Sequence, residues 1–207
     1  MSKLLQIHPD NPDKRKINQV VDCLKSGGII IYPTDTIYGI GCDITNGKAI
    51  EKVCRLKGID PKKANLAFVC YDLSHLSDYS KNFDKQVYKV LNKNLPGPFT
   101  FILEASKSVP KLLQTKKKTV GIRVPDNNIA REIVRVLGNP ILTTSLKLPE
   151  GDELEYLTDP EEMYEEFHNK VDIVIDGGAG SNQPSTVVVC LNNEIEVVRE
   201  GKSELIY

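Results

Sequence analysis

One stretch of the chain, residues 28–43, constrains the fold and the function more than any other. It opens with an uncharged run of β-branched and aromatic residues, Ile29 to Tyr32, which predicts a buried strand. Pro33 ends that strand, because proline has no N–H to donate to a neighbouring strand. The hydroxyls, the carboxylate and the glycines that follow are groups that an α/β sheet presents to a ligand at a strand end. A polar loop between two apolar segments is the alternative interpretation.

The composition is that of an ordinary globular chain and assigns no partner by itself. With 207 residues, 40% of them hydrophobic and 27% charged, the chain suits one α/β domain over residues 1–207. A net charge of −1 gives no bulk attraction for nucleic acid, so only a local basic patch could bind it. No apolar run approaches the roughly 20 residues of a membrane span, and the opening residues show no signal-peptide pattern. We therefore predict a cytoplasmic protein, monomer or homodimer, with no membrane partner and with reduced cysteines.

Helix and strand patterns alternate along most of the chain. Apolar residues recur at helical spacing after Asn11–Pro12, Asp84, Asn127 and Asp159, each of which can begin a helix. Short apolar strands lie between these segments, and the last strands follow one another through turns. This order predicts an α/β fold in which a twisted, open, mixed sheet carries packed helices.

Nucleophilic catalysis and a metal-ligand cluster are both disfavoured by the sequence. The three histidines, His8, His75 and His168, are far apart, and no HExxH motif is present. The chain also lacks a Walker A motif and the GxGxxG fingerprint, although cations and hydroxyls recur at predicted strand ends. Binding of an anion by side chains is therefore the chemistry that remains.

Three cations are candidates for that binding, and each has a simpler alternative. Arg123 lies within an apolar strand, where a charge must meet an anion or a carboxylate. Arg199 poses the same question, with the neighbouring Glu200 as the simpler partner. Lys57 follows a helix, whose C-terminus favours a cation. Three hydroxyl residues at strand ends could bind phosphate or merely cap turns: Ser145, Ser185 and Thr186.

Seven short blocks give the chain a resemblance to a known family. They are YPTDTIYGIGCD at 32–43, LPGPFTFIL at 95–103, GIRVP at 121–125, TTS at 143–145, DGG at 176–178, PSTVV at 184–188 and VREG at 198–201. In this order they resemble the signature of the YrdC/YciO family, whose better-known members are threonylcarbamoyl-AMP synthases. The opening IHPDNPDKRKINQ and the segments FVCYDLSHLSDYS and LLQTKKKTVGIRVP are most similar to the YciO branch.

The resemblance implies a fold, a reaction and a set of small-molecule partners. The fold is a single open α/β domain with a positively charged concave face. The reaction joins L-threonine, bicarbonate and ATP into threonylcarbamoyl-AMP and releases pyrophosphate, with Mg²⁺ assisting. The product serves the t⁶A modification of tRNA. Several cations and N–H donors must then neutralise a triphosphate and the charge that develops at the α-phosphorus.

The resemblance also assigns the site residue by residue. Its catalytic set is Lys57, from the K-x-R motif, and Arg123, from GxRxP. Its substrate- and nucleotide-binding set is Thr34, Asp35, Thr36, Tyr38, Gly39, Thr100, Ser145, Lys147, Ser185, Thr186 and Arg199. No metal ligand is assigned. Because they lie at or beside predicted strand ends, we expect Thr34, Tyr38, Arg123 and Ser145 to converge on one concave pocket.

Two positions depart from the family pattern. Ile59 stands where the K-x-R motif has its arginine, and Lys147 stands where the S-x-N motif has its asparagine. The first change replaces a bidentate anion-binding group with hydrocarbon, and the second replaces an amide with a point charge. Either the site works with a rearranged set of cations, including Lys62, Lys63 or Lys147, or it binds another ligand.

Three functions are therefore open at this point. The first is a threonylcarbamoyl-AMP synthase or a diverged relative. The second is a module that binds double-stranded RNA or tRNA, as the resemblance implies, through a basic concave face. A local run of lysines could extend that face or could be a solvated turn: Lys107, Lys111, Lys116, Lys117 and Lys118. The third is an ATP-dependent carbamoyl-type enzyme with a different amine substrate.

Overall fold

One mixed β-sheet runs through the whole molecule and carries helices on both faces. The computed structural model describes residues 2–60, 66–114, 116–146, 156–192 and 194–207. Within these residues the sheet has ten strands and is accompanied by six α-helices and a 3₁₀ helix. The predicted fold class, an open mixed sheet with packed helices, is confirmed. No helix in the described ranges has the length and apolarity that crossing a membrane requires.

The strands and helices alternate in the first part of the chain with two exceptions, since β3 follows β2 directly and α4 follows α3 directly, and the sequence did not predict β3 as a strand. The strands are β1 Lys3–Gln6, β2 Ile30–Tyr32, β3 Gly39–Asp43, β4 Ala67–Val69, β5 Phe99–Glu104, β6 Thr119–Arg123, β7 Ile141–Ser145, β8 Ile173–Asp176, β9 Thr186–Leu191 and β10 Glu194–Arg199. The α-helices are α1 Lys14–Lys25, α2 Gly47–Lys57, α3 Leu73–Ser77, α4 Lys85–Asn94, α5 Asn128–Leu137 and α6 Pro160–Phe167, and the 3₁₀ helix is Lys111–Leu113.

The sheet order places the two ends of the chain on opposite edges. It reads β1-β8-β2-β3-β7-β4-β6-β5-β9-β10. The pairs β1–β8, β2–β8, β4–β6 and β5–β9 are parallel. The other five neighbouring pairs are antiparallel. Strands that are distant in sequence, such as β3 and β7, therefore become neighbours at the centre of the sheet.

Every α-helix in the described ranges begins at an Asp or Asn side chain. Each of these side chains accepts a backbone N–H of the first turn: Asp13, Asn46, Asp72, Asp84, Asn127 and Asp159. The starts predicted for α4, α5 and α6 are confirmed. The start predicted for α1 at Asn11 and Pro12 is wrong, because Asp13 takes the capping role one residue after Pro12.

The two faces of the sheet are covered unequally. Ile30 and Ile31 are adjacent on β2 and point to opposite faces, so they belong to different apolar clusters. The cluster of Ile31 contains the buried residues of α2, α4 and α6. The cluster of Ile30 contains those of α1 and α5, together with Tyr32 of β2 and with Ile173 and Ile175 of β8. Helices α1 and α5 therefore cover one end of their face, and the other end is left open.

Candidate functional site

A cavity of about 330 Å³ opens on the face of the sheet that carries α1 and α5. Its lining includes residues of seven neighbouring strands: β3, β7, β4, β6, β5, β9 and β10. On β5 the lining residues Thr100 and Ile102 alternate with Phe99 and Phe101, which belong to the core cluster on the other face. The floor of the cavity is therefore the row of side chains that the helices leave uncovered.

Several residues predicted for the site meet in this cavity although they are far apart in sequence. The predicted residues that line it are Tyr38, Gly39, Thr100, Arg123, Ser145, Ser185 and Arg199. Tyr38, Arg123 and Ser145 converge as expected, whereas Thr34 is not among the described lining residues. The structure thus gathers the polar strand-end groups into one concave site.

Arg123, the last residue of β6, is the buried cation of the site. Its Nη2 donates to Oδ1 of Asp35 at 3.0 Å and to Oγ1 of Thr36 at 2.8 Å. Both side chains of the Arg123–Asp35 ion pair are 9% exposed. The prediction that a buried Arg123 meets a charged partner is confirmed by this carboxylate. Its Nε is buried and has no hydrogen-bond partner among the described residues, so this N–H is left unsatisfied by them.

The loop after β2 supports Arg123 from beneath the cavity. Thr34 Oγ1 accepts the backbone N–H of Thr36 at 3.0 Å and donates to the Ile37 carbonyl at 2.8 Å. Asp35 Oδ2 accepts the backbone N–H of Asp126 at 3.0 Å. Thr34, Asp35 and Thr36 are therefore engaged within the protein, and none of them is among the described residues that line the cavity.

Tyr38 reaches the cavity wall while being anchored on the glycine-rich loop after β8. Its hydroxyl donates to the Gly178 carbonyl at 2.7 Å and accepts the Gly177 N–H at 3.2 Å. A Cβ on Gly180 would lie 2.7 Å from the Tyr38 ring, so only glycine fits there. Burial raises the pKa of Tyr38 to about 12, which keeps the phenol protonated at neutral pH. The DGG block at 176–178, at the start of this loop, was part of the resemblance to the family, but the contact of the loop with Tyr38 was not predicted.

The two glycines of β3 make room for the protein itself. A Cβ on Gly39 would lie 2.9 Å from Thr143 Oγ1 and 3.2 Å from the Tyr32 ring. A Cβ on Gly41 would lie 2.3 Å from the Leu142 carbonyl oxygen and 3.3 Å from the same ring. The sequence reading explained these glycines by the approach of a ligand. Gly39 does line the cavity, but both positions are closed by Tyr32 and β7.

Arg199, the last residue of β10, is the second cation on the cavity lining. Its Nη2 donates to the Ser185 carbonyl at 2.6 Å and to Ser185 Oγ at 3.1 Å. The Ser185 hydroxyl also lies 2.8 Å from Oγ1 of Thr100. Within the described residues no ion pair joins Arg199 to Glu200, the alternative partner considered from the sequence. The positive charge of Arg199 is therefore available to an anionic ligand.

Two further residues predicted for the site, Thr186 and Lys57, are not among the described residues that line the cavity. Thr186 is 1% exposed, and its hydroxyl donates to the Ser203 carbonyl at 2.5 Å, so it holds the C-terminal residues. Lys57 is the half-buried last residue of α2 and is not among the described lining residues. A cation at a helix C-terminus also stabilises the helix, which is the simpler role considered for Lys57.

The positions that depart from the family pattern do not add a described charge to the cavity. Ile59 is half-buried and packs against the larger apolar core. The candidate replacement cations Lys62, Lys63 and Lys147 lie outside the described residues. Arg123 and Arg199 are therefore the charged residues of the lining as far as the structure describes it.

Some lining residues were not predicted as site residues. Thr143 and Thr144 on β7, Gly121 on β6, and Tyr156 all contribute to the wall. Thr143 lies two residues before the predicted Ser145 on β7, and Gly121 lies two residues before the predicted Arg123 on β6. Because residues two apart on a strand point to the same face, the positions of Ser145 and Arg123 could have identified Thr143 and Gly121 as lining residues. That inference is usable only once it is known which face the helices leave open.

The cavity lining does not fit a magnesium ion held by the protein. Magnesium prefers oxygen ligands and is usually held by one or two carboxylates together with substrate phosphates. The described lining contains no carboxylate, and the carboxylate of Asp35 is occupied by Arg123. The described residues also contain no group of three or more His, Cys, Asp or Glu side chains that could hold a metal ion. The predicted magnesium therefore has no ligand set in the part of the site that is described.

Histidine and cysteine take no part in the described cavity lining. His75 is stacked with Tyr71 at a ring-centroid distance of 4.7 Å, and burial lowers the pKa of its imidazole. All five cysteines are free thiols, and burial raises the pKa of Cys23 and of Cys190 to about 11. The described residues thus offer cations and hydroxyls to a ligand, and no pair of nucleophile and base.

A family model covers most of the chain. The Sua5/YciO/YrdC model, described as "Telomere recombination", matches residues 22–201. The chain is 43% identical to the YciO protein of Escherichia coli K12 over 206 residues, which is 99% of this chain and 98% of that protein. It therefore belongs to the Sua5/YciO/YrdC family. The resemblance stated from the sequence is confirmed.

Solved structures agree with this assignment. The crystal structure of E. coli YciO superposes with a TM-score of 0.90 at 42% identity, covering 99% of this chain and 98% of that one. The structure of Sua5 from Pyrococcus abyssi complexed with L-threonine gives 0.85 at 23% identity, covering 97% of this chain and 58% of that one. The second likeness establishes a shared fold.

A further relative carries a functional name. The "Putative threonylcarbamoyl-AMP synthase" of Methanocaldococcus jannaschii is 35% identical over 205 residues, covering 97% of this chain and 93% of that protein.

Proposed function

We propose that this protein is an L-threonylcarbamoyladenylate synthase, or a diverged relative of one, that acts in the t⁶A modification of tRNA. Its substrates are L-threonine, bicarbonate and ATP, and its products are threonylcarbamoyl-AMP, pyrophosphate and water. The proposal is supported by the family, by the name of the Methanocaldococcus relative and by the L-threonine in the Sua5 complex.

The observation that carries the proposal is the buried Arg123, which lines the cavity together with several hydroxyl side chains. Its Nη2 is fixed by Asp35 and Thr36, and the residue lines the cavity. A positive charge fixed in this way costs no reorganisation when a ligand acquires negative charge. An adenylate-forming site needs this property at the phosphorus that is attacked.

The proposed chemistry is a displacement at the α-phosphorus of ATP. The amino group of L-threonine first forms a carbamate with bicarbonate, and one molecule of water leaves. An oxygen of this carbamate makes the new bond to phosphorus. The bond between the α- and β-phosphates breaks, and pyrophosphate leaves with the electron pair. Arg123 and Arg199 stabilise the charge on the phosphates. The hydroxyls of Thr143 and Ser145 orient the substrate at the opposite wall.

The direct test is L-threonine-dependent pyrophosphate release in the presence of ATP and bicarbonate. We expect release with L-threonine, together with threonylcarbamoyl-AMP detected by mass spectrometry. Equal release without any amine contradicts the proposal. Release that requires a different amine supports a carbamoyl-type enzyme with another substrate.

The departure at Ile59 gives a prediction about the rate. Ile59→Arg is expected to raise L-threonine-dependent pyrophosphate release by about tenfold, because it restores the arginine that the K-x-R motif of the family has at this position, although Ile59 is not among the described lining residues. The half-buried position tolerates this change, since an arginine can lay its stem along apolar surface. Ile59→Met is the matched control for length without charge. Equal rates for the two variants contradict the prediction.

RNA binding gives a second prediction, since it remains the alternative function. The exposed Lys116, Lys117 and Lys118 precede Thr119, which lines the cavity. We expect weak, sequence-independent binding, with a dissociation constant of roughly 10⁻⁴–10⁻⁶ M that rises steeply with salt. Changing these three lysines to glutamine should lower the affinity and the salt dependence. The control is the same change at three exposed lysines on helices: Lys14, Lys25 and Lys89. Tight, sequence-selective binding that salt barely affects contradicts the prediction.

A further inference from the structure

The last seven residues, 201–207, form an ordered segment that we call the C-terminal strap. At its start, the Lys202 N–H donates to the Pro184 carbonyl at 2.9 Å. At its end, the Ile206 N–H donates to Asn94 Oδ1 at 3.0 Å, and Asn94 Nδ2 donates to the Ile206 carbonyl at 2.7 Å. Asn94 is a buried residue of α4. The strap is therefore held to the body of the protein at both ends.

The strap begins in close contact with the wall of the cavity. A Cβ on Gly201 would lie 2.4 Å from the Pro184 carbonyl oxygen and 2.5 Å from the Thr186 nitrogen. The Gly201 N–H donates to Oγ1 of Thr186 at 3.1 Å. Pro184 and Ser185 both line the cavity. These contacts thus fix the position of the strap relative to Ser185, which accepts hydrogen bonds from Arg199.

Lys202 connects the strap to the loop that supports Arg123. Its Nζ donates to the backbone carbonyl of Asp35 at 2.6 Å, across 167 positions of sequence. The carboxylate of the same Asp35 holds Arg123 and the backbone of Asp126. One side chain therefore links the strap to the residue that orients the buried cation.

We propose that Lys202 is a positioning residue of the concave site. It joins the loop at 34–38 to the segment at 184–186, so that Arg123 and Arg199 keep a fixed separation across the cavity. The contact lies on the surface, so its contribution to the stability of the whole protein is small. Its effect is on geometry, because displacing a binding group by about 1 Å is enough to weaken binding strongly.

The first test measures the loop and does not depend on the proposed function. In Lys202→Met, amide hydrogen exchange in peptides covering residues 34–38 should be about fivefold faster, because one charge-assisted hydrogen bond is lost. Lys202→Arg keeps a cationic donor and should stay near the wild-type rate. Lys89→Met, at an exposed lysine of α4, is the matched control. Peptides from α1 serve as an internal reference that should not change.

The second test uses the substrates and rests on the proposed function. In Lys202→Met we expect the KM for ATP to rise about fivefold with a smaller change in kcat, since the contact organises binding. Lys202→Arg should restore the wild-type KM. Unchanged exchange at residues 34–38 in Lys202→Met overturns the positioning role, whatever the activity. Faster exchange without turnover in any variant, wild type included, upholds the positioning role and refutes the proposed activity.

Discussion

Replacing Arg123 is expected to reduce threonylcarbamoyl-AMP formation by about two to three orders of magnitude, which is typical for losing one fixed donor to transition-state charge. The single variant Arg123→Met would also leave the buried Asp35 without its partner, at a cost of about 3–5 kcal/mol. The informative variant is therefore Arg123→Met combined with Asp35→Asn, which removes both charges together.

The control for this experiment is Asp35→Asn alone. It keeps the guanidinium and an oxygen that can accept its hydrogen bond, so kcat/KM should fall by less than about tenfold, whereas the free energy of unfolding should fall by about 3–5 kcal/mol because the buried guanidinium loses its counter-charge. Activity is measured as L-threonine-dependent pyrophosphate release, and folding is checked by thermal unfolding. A double variant whose kcat/KM is within threefold of the Asp35→Asn value would show that Arg123 does not stabilise the reacting charge.

Placing a single methyl group on Gly41 is expected to destabilise the fold by about 3 kcal/mol, the upper part of the usual range for overpacking. The new Cβ would lie 2.3 Å from the Leu142 carbonyl oxygen and 2.7 Å from Ile141 Cγ2. The nearest contact is backbone of the neighbouring central strand, which cannot move without disturbing the β3–β7 pairing. Urea unfolding monitored by circular dichroism measures the loss.

Two glycines provide the controls for Gly41→Ala. Gly39→Ala should cost less, because its closest neighbour at 2.9 Å is a threonine hydroxyl that can rotate. Gly47→Ala lies at the start of α2 with nothing within 4 Å, and should be neutral or stabilising by up to about 1 kcal/mol. If Gly41→Ala unfolds at the same urea concentration as Gly47→Ala, β3 is less closely packed than the structure indicates.

The parts of this protein that could be predicted from the sequence are those fixed by neighbouring residues. The helix starts at Asp84 and Asn127 follow from one capping side chain and the apolar spacing after it. The charged partner of Arg123 could be predicted in kind, since a buried guanidinium needs one. That this partner is Asp35 depends on how β6 sits relative to the loop after β2, which no local pattern encodes.

The parts that could not be predicted depend on contacts over long sequence distances. Tyr38 was assigned to ligand binding from its motif, yet its hydroxyl is occupied by Gly178, 140 positions away. Lys202 had no pattern around it, and its role follows only from its contact with Asp35. The segment PILTTS at 140–145 was predicted as a short strand, but its sequence did not tell which face of β7 the helices would leave open.

The unequal cover of the sheet has a consequence for how such proteins diverge. On β5, Phe99 and Phe101 hold the fold, whereas Thr100 and Ile102 meet only the cavity side. Each strand of the cavity floor therefore carries two kinds of position in alternation, one that tolerates little change and one that can change with the ligand. A new substrate can be accommodated by substitutions at the second kind without repacking the first. Relatives can thus keep the same architecture while their chemistry drifts, strand by strand, at every other residue.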